Sequence, residues 1–343
     1  HGVAPEGNFE NGANILTIAK PFSIAAKKAG VSEEELLKRR TKWLAKLRSI
    51  REKRIRPHLD DKVLTSWNGL MISSLAYAGK IFSEEKYISA ARAAAGFILM
   101  EMTTYDGRLL RRYRDQEAAI EGFLDDYAFF CMGLLDIFEA TFDATALESA
   151  IAIAEKMLDI FGAQSGGMLS YCAPDSEMSG YRTSDFADGA EPSGNSVAAA
   201  VLLRLSRILG RKDFEQASIG ILEAYAGLMK RMPMAYTQMM MAVAAATADA
   251  LDVVIMSGAD GKAAGELLKT ALEDYDPCRI VLYRAPGASG DRLAGIVPKL
   301  ASLAPREGAP LAQVCFNRAC RLAVSKPEEL RGQLDSVRNA TAC

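Results

Sequence analysis

Eight stretches of this chain carry apolar residues at helical spacing, most of them joined by connections only long enough to reverse direction. They fall at Glu33–Arg54, from Thr65 onward, Ser83–Met102, Phe123 to beyond Glu139, Ala144–Phe161, Ser193–Leu209, Asp213–Met229 and Met234–Leu251. Helices of similar length in series bury their apolar stripes by packing as antiparallel hairpins. The spacing therefore predicts a mainly α protein whose hairpins close into a ring.

Local signals punctuate the pattern. Ser32 followed by Glu35 is a capping-box signature for the first helix, and Pro57 stops the chain from continuing it. Thr65 is the expected N-cap of the second, with Leu64, Trp67, Met71, Leu75 and Ala78 forming one buried stripe. Two interruptions read as extended or hairpin-like pieces, RLLRRYR after Gly107 and the segment Gly166–Tyr181. Near Asp252 the character changes. Val253–Met256, Lys262–Glu273 and Arg279–Tyr283 read as β-α-β. A strand containing Cys315, another around Leu322–Val324 and a helix opening at Pro327 follow. The expected division is residues 1–251 as the helical barrel portion and 252–343 as a small α/β extension packed on it.

Composition limits the function. Half of the 343 residues are hydrophobic, and the formal net charge of −2 supplies no global field for nucleic acid or an anionic membrane. No uninterrupted apolar run reaches the roughly 20 residues needed to span a bilayer. The start HGVAPEGNFENGANIL has no basic and apolar leader pattern and no initiating methionine, which suggests part of a longer protein. Six cysteines scattered through a large chain favour a reducing, cytoplasmic setting. With only His1 and His58, a zinc site or a two-histidine acid/base pair is not expected, nor is any metal or cofactor. The basic run KRRTKWLAKLRSIREKR reads as a solvated face rather than a nucleic-acid surface. SGADGK, residues 257–262, is too short for a phosphate loop and has Ala263 where a hydroxyl is needed. Cys315 and Cys320 read first as two buried thiols, with a redox pair or disulfide as the alternative.

Three acidic stretches stand at helix entrances: Asp60–Asp61 before Trp67 and Asn68, Asp125–Asp126–Tyr127, and Asp188 with Glu191 before Ser193 and Asn195. Each acid alone reads as a helix cap, since exposed N–H groups and the helix dipole favour a carboxylate there. Together they admit a second reading. Helix ends on one rim of a ring face a common funnel, where carboxylates beside aromatic platforms could protonate, deprotonate or attack at a sugar carbon. Asp61, Asp126 and Glu191 are then the catalytic candidates. Trp67 and Tyr127 would stack a ring, and His58, Asn68, Asp125, Asp188, Ser193 and Asn195 would complete the binding set.

DDKVLTSWNGLMI (60–72), GFLDDYAFF (122–130) and DGAEPSGNSV (188–197) together resemble the spermatogenesis-associated protein 20 family. Its bacterial and archaeal members are described as thioredoxin-domain proteins. The opening GVAPEGNFENGANIL and the closing VCFNRACRLAVSKPEEL resemble it as well. The resemblance implies an (α/α)6 toroid, similar to N-acylglucosamine 2-epimerases and helical-barrel glycosidases. Here it would lack its first helices, and a thioredoxin-like domain would be the partner in the full-length protein. The epimerases are associated with histidine acid/base residues, and only His58 stands in a motif here. The resemblance thus supports the shape and a sugar-like pocket more than the epimerase reaction.

The expectation is a mainly α, (α/α)6 toroid-like barrel of helical hairpins with a small α/β extension near the C-terminus. It would be a carbohydrate-active or sugar-binding protein, and, if an enzyme, one like a glycoside hydrolase or a sugar epimerase or isomerase. Neither nucleic acid nor a membrane is expected as a partner. The alternative is a non-catalytic scaffold or redox partner of the thioredoxin-like domain, with Cys315 and Cys320 as the exchanging pair.

Overall fold

The computed structural model describes residues 1–162, 167–176, 187–258, 261–274, 276–303, 308–317 and 319–341. Within the expected hairpin at Gly166–Tyr181 the described residues 167–176 form turns and no strand, and residues 166 and 177–181, like residues 259–260 of SGADGK, lie outside the described residues. Chain contacts divide the protein into two units, His1–Asp61 and Lys62–Cys343.

In the first unit the side chain of Asn8 ties a loop by donating to the carbonyls of Gly2 and Ile15 and accepting from the Ile15 amide. Helix α1 (Phe22–Ala29) follows, a short helix the periodicity did not show, ending at Gly30 with φ 67°. Helix α2 (Glu33–Arg51) starts as expected: Ser32 Oγ accepts from the Glu35 amide at 3.2 Å. No residue of α2 is buried, and Trp43 is 52% exposed, so its basic residues do form a solvated face.

The second unit opens on a two-residue strand, β1 (Val63–Leu64). It pairs antiparallel with β2 (Leu110–Arg114), which pairs in turn with β3 (Glu117–Glu121). Asp115 and Gln116 join β2 to β3 with φ of 53° and 62°, the two-residue turn whose twist suits a hairpin. Helix pairs make up the bulk: α3 (Thr65–Phe82) with α4 (Glu85–Glu101), α5 (Leu124–Thr141) with α6 (Ala144–Phe161), and α7 (Gly194–Leu209) with α8 (Lys212–Arg231). A ninth helix, α9 (Thr237–Thr247), packs on α7. It is shorter than predicted because Ala248 is extended and Leu251 already belongs to a strand.

One row runs α3–α5–α7–α9, with α4, α6 and α8 as the return helices. Its closest approach is between α3 and α5. A Cβ on Gly69 would stand 2.5 Å from the Phe129 backbone, and one on Gly133 would stand 2.9 Å from the Gly69 carbonyl. That contact fixes which face of α3 turns inward: Thr65, Ser66, Gly69, Ile72, Ala76 and Gly79 are buried, and Trp67 and Met71 are more than half exposed. The predicted stripe is therefore wrong in phase. Thr65 is also not the cap, since Leu64 holds that place and the Thr65 hydroxyl donates to the Leu110 carbonyl at 2.6 Å. Farther along the row Arg204 of α7 reaches Asp136 and Glu139 of α5 at 2.6 and 2.7 Å, and Ser73 of α3 donates to Asp136.

The α/β portion belongs to the same unit. Strand β4 (Leu251–Met256) is parallel to β5 (Arg279–Arg284) and antiparallel to β6 (Leu311–Phe316), which pairs with β7 (Ala319–Cys320). Helix α10 (Gly261–Leu272) makes the crossover between β4 and β5, as the β-α-β pattern predicts. Helices α11 (Ala288–Ile296), α12 (Pro298–Ala301) and α13 (Pro327–Thr341) complete it. Cys315 and Cys320 face each other across β6 and β7 and are joined as a disulfide, with Cys320 exposed, so they are not two buried thiols.

Candidate functional site

Polar contacts link the N-terminal ends of α3 and α5 and those of α7 and α9, and close packing links α5 to α7. A carboxylate can satisfy the amides that a helix start leaves without partners. Asp126, in the first turn of α5, does this for two elements. It accepts from the Phe123 amide of its own helix start and from the Ser66 amide of α3, each at 2.9 Å. Gly194 lets α7 begin against α5, since a Cβ there would meet Leu124 Cγ at 2.9 Å and the Asp125 amide at 3.1 Å. Asp188 joins α7 to α9 by accepting from the Ser193 and Gln238 amides at 2.9 and 2.8 Å.

Arg111 on β2 completes the buried cluster. Its Nη1 lies 3.0 Å from Asp126 and 3.2 Å from Asp125, and its guanidinium covers the Phe123 ring at 4.8 Å. Two carboxylates thus share one cation. Burial, and then the neighbouring Asp125, pushes Asp126 up to about 7. Burial also raises Asp125 above the ordinary carboxylate range. Although burial opposes it, the two carboxylates hold Arg111 above its usual value.

Outside this cluster, Trp67 and Glu191 meet from positions 124 residues apart, with the indole N–H donating to the Glu191 carboxylate at 2.8 Å. Trp67 is 55% exposed and Glu191 is exposed, so this pair presents an open aromatic face edged by an anionic group.

The other expected site residues have different surroundings. Tyr127 is 1% exposed, with its hydroxyl accepting from the Leu109 amide and its ring against Phe161, which leaves no face for stacking. Burial pushes its phenol up to about 12. Asn195 is buried and holds both the amide and the carbonyl of Leu169, and Ser193 caps α7 through the Ser196 amide. Both are buried, at 0% and 1% exposure, away from any surface a ligand could reach. Asn68 donates to the Leu64 carbonyl at 2.8 Å. His58 and Asp61 are exposed and belong to the first unit. Among the described residues no group of histidines, cysteines and acids is arranged to hold a metal ion. Sequence reasoning missed Arg111. It is one of four arginines in RLLRRYR and its flanks, and only strand alternation separates its face from that of Arg112.

The described fold is that of a mainly α protein of serial helical hairpins carrying a small α/β extension. No family model matches the chain. It is 33% identical over 339 residues to spermatogenesis-associated protein 20 of Homo sapiens, an alignment covering 95% of this chain and 43% of that one. The chain is thus similar to spermatogenesis-associated protein 20 over nearly its whole length and spans under half the length of that relative. Solved structures that align with parts of it include a cellobiose 2-epimerase from Bacillus thermoamylovorans, at 8% identity and a TM-score of 0.40, covering 49% of this chain and 45% of that one. A family 105 glycoside hydrolase from C. acetobutylicum aligns at 15% identity and a TM-score of 0.39, covering 61% of each chain. No helix among the described residues is long and apolar enough to cross a membrane.

Proposed function

We propose that the helix-start end of the second unit binds a sugar-like, polyhydroxylated ligand, with Trp67 as the stacking platform and Glu191 as its polar, titratable contact. The observation that supports this is the bond between Trp67 and Glu191. An exposed indole offers a flat apolar face to the C–H face of a pyranose, and a carboxylate beside it accepts hydroxyl donors. Asp126, fully buried, acts beneath the site as a positioning residue. Any acid/base step would fall to Glu191. Calorimetric titration with a panel of monosaccharides and sugar phosphates tests the reading. Trp67→Ala should lower the affinity of any binding sugar at least tenfold, and Glu191→Gln should abolish turnover if a reaction accompanies binding. Equal affinity in wild type and Trp67→Ala would remove the site.

The Cys315–Cys320 disulfide, with Cys320 exposed on an edge strand, favours a second reading as a redox partner of a thioredoxin-like domain. A thioredoxin-like protein lacking its resolving cysteine should then accumulate as a mixed disulfide with Cys320. No such adduct would contradict it.

A further inference from the structure

We infer that the end of α2 and the turn after it form an anion site for a small ligand carrying more than one phosphate group. Arg48, Arg51, Arg54 and Arg56 line a concavity of about 410 Å³ in the first unit, with Glu52 as the one carboxylate in its wall. The local fold makes this shape. Arg48 and Arg51 lie three apart on one side of the helix, and the chain then folds back as the Lys53 amide bonds the Ile50 carbonyl and the Arg54 amide that of Arg51. Pro57 keeps the helix from resuming, so Arg54 and Arg56 return toward the helical pair.

The charges are left without balance. Glu52 is taken by Arg48 at 2.9 Å, and among the described residues Arg51, Arg54 and Arg56 have no carboxylate within salt-bridge distance. The unit as a whole holds thirteen lysines and arginines against eight acids, in a chain whose net charge is −2. Three unpaired guanidinium groups around one hollow repel one another, and an anion entering it would relieve that repulsion. A guanidinium fork matches a phosphate by two parallel N–H···O bonds, so three forks suit more than one phosphate. A nucleic-acid strand is the poorer occupant. Its backbone needs a stripe of charge with stacking rings, and the hollow is local and has no aromatic residue in its wall.

The site is separate from the one at Trp67 and stands or falls independently of it. The test is calorimetric titration of the full chain at low ionic strength with inorganic phosphate, pyrophosphate and a mixed-sequence single-stranded oligonucleotide. Pyrophosphate should bind one per chain, at least tenfold tighter than phosphate. Arg51→Gln with Arg56→Gln should weaken it at least tenfold, and Lys42→Gln, on the same helix away from the hollow, should leave it unchanged. If circular dichroism shows that the double variant loses its helix, the single variants take its place with at least a threefold loss each. Absence of saturable binding, or an equal loss in Lys42→Gln, would overturn the inference. So would an oligonucleotide that binds more tightly than pyrophosphate and depends on the same arginines.

Discussion

Asp126 is legible in the sequence as a motif, and the contacts it makes are structural ones. The run of acids before an apolar helix marks it in the sequence, and the same run suggests a catalytic group. Buried at 0% exposure and bonded to two amides and Arg111, it instead holds the starts of α3 and α5 together. Asp126→Ala would leave the Phe123 and Ser66 amides without this acceptor and Arg111 with Asp125 alone, at a cost of about 3–5 kcal/mol by chemical denaturation. Its pH dependence has a definite sign. The folded state keeps the proton up to about 7, whereas the unfolded chain releases it near the ordinary carboxylate value. Between these limits the folded state binds more protons, so this group's stabilisation is present at low pH and lost as pH rises through 7. The stability of wild type relative to Asp126→Asn should therefore fall between about pH 4 and 7 and level off above that, as measured by urea unfolding. A constant difference would contradict the assignment. Arg111, which completes the cluster, was illegible because neighbouring arginines look alike until the strand decides which face each one takes.

At the scale of elements, helix positions were read closely: α6 occupies Ala144–Phe161 as predicted, and α2 and α7 differ by a few residues at one end. The inward face of α3 was not. Periodicity favours large apolar residues, but the interface with α5 is set by how near two backbones can come, and Gly69 and Gly133 set it. Gly69→Ala should force α3 from α5 and cost about 2–3 kcal/mol. Gly96→Ala in α4, where a Cβ meets nothing within 4 Å, should be neutral or add up to about 1 kcal/mol. Thermal unfolding of the two variants measures the contrast, and equal shifts would refute the close approach. Helices α1, α11 and α12 escaped notice because short segments carry too few turns for a pattern to show.

For the molecule as a whole, the class of fold was visible in serial hairpins, and the β-α-β pattern announced the sheet. What joins them was not visible, since it consists of residues far apart in sequence. Asp252 on β4 accepts from Arg207 of α7 at 3.2 Å and from Lys299 of α12 at 2.7 Å, fastening the sheet to the helices. Asp252→Ala leaves Arg207 without its carboxylate and Lys299 with the Arg207 carbonyl, and should cost about 2–3 kcal/mol, read as a lower midpoint in denaturant. Retained stability would show that the sheet is held by apolar packing alone.

The central claim concerns the open indole beside Glu191, and the chain's two tryptophans make it directly measurable. In a Trp43→Phe variant Trp67 is the sole indole reporter. Its emission, followed during titration with monosaccharides and sugar phosphates, should change saturably for at least one sugar, and Glu191→Gln in the same background should shift that curve to higher concentration. Emission that stays constant across the whole panel, with the variant folded, would contradict the account.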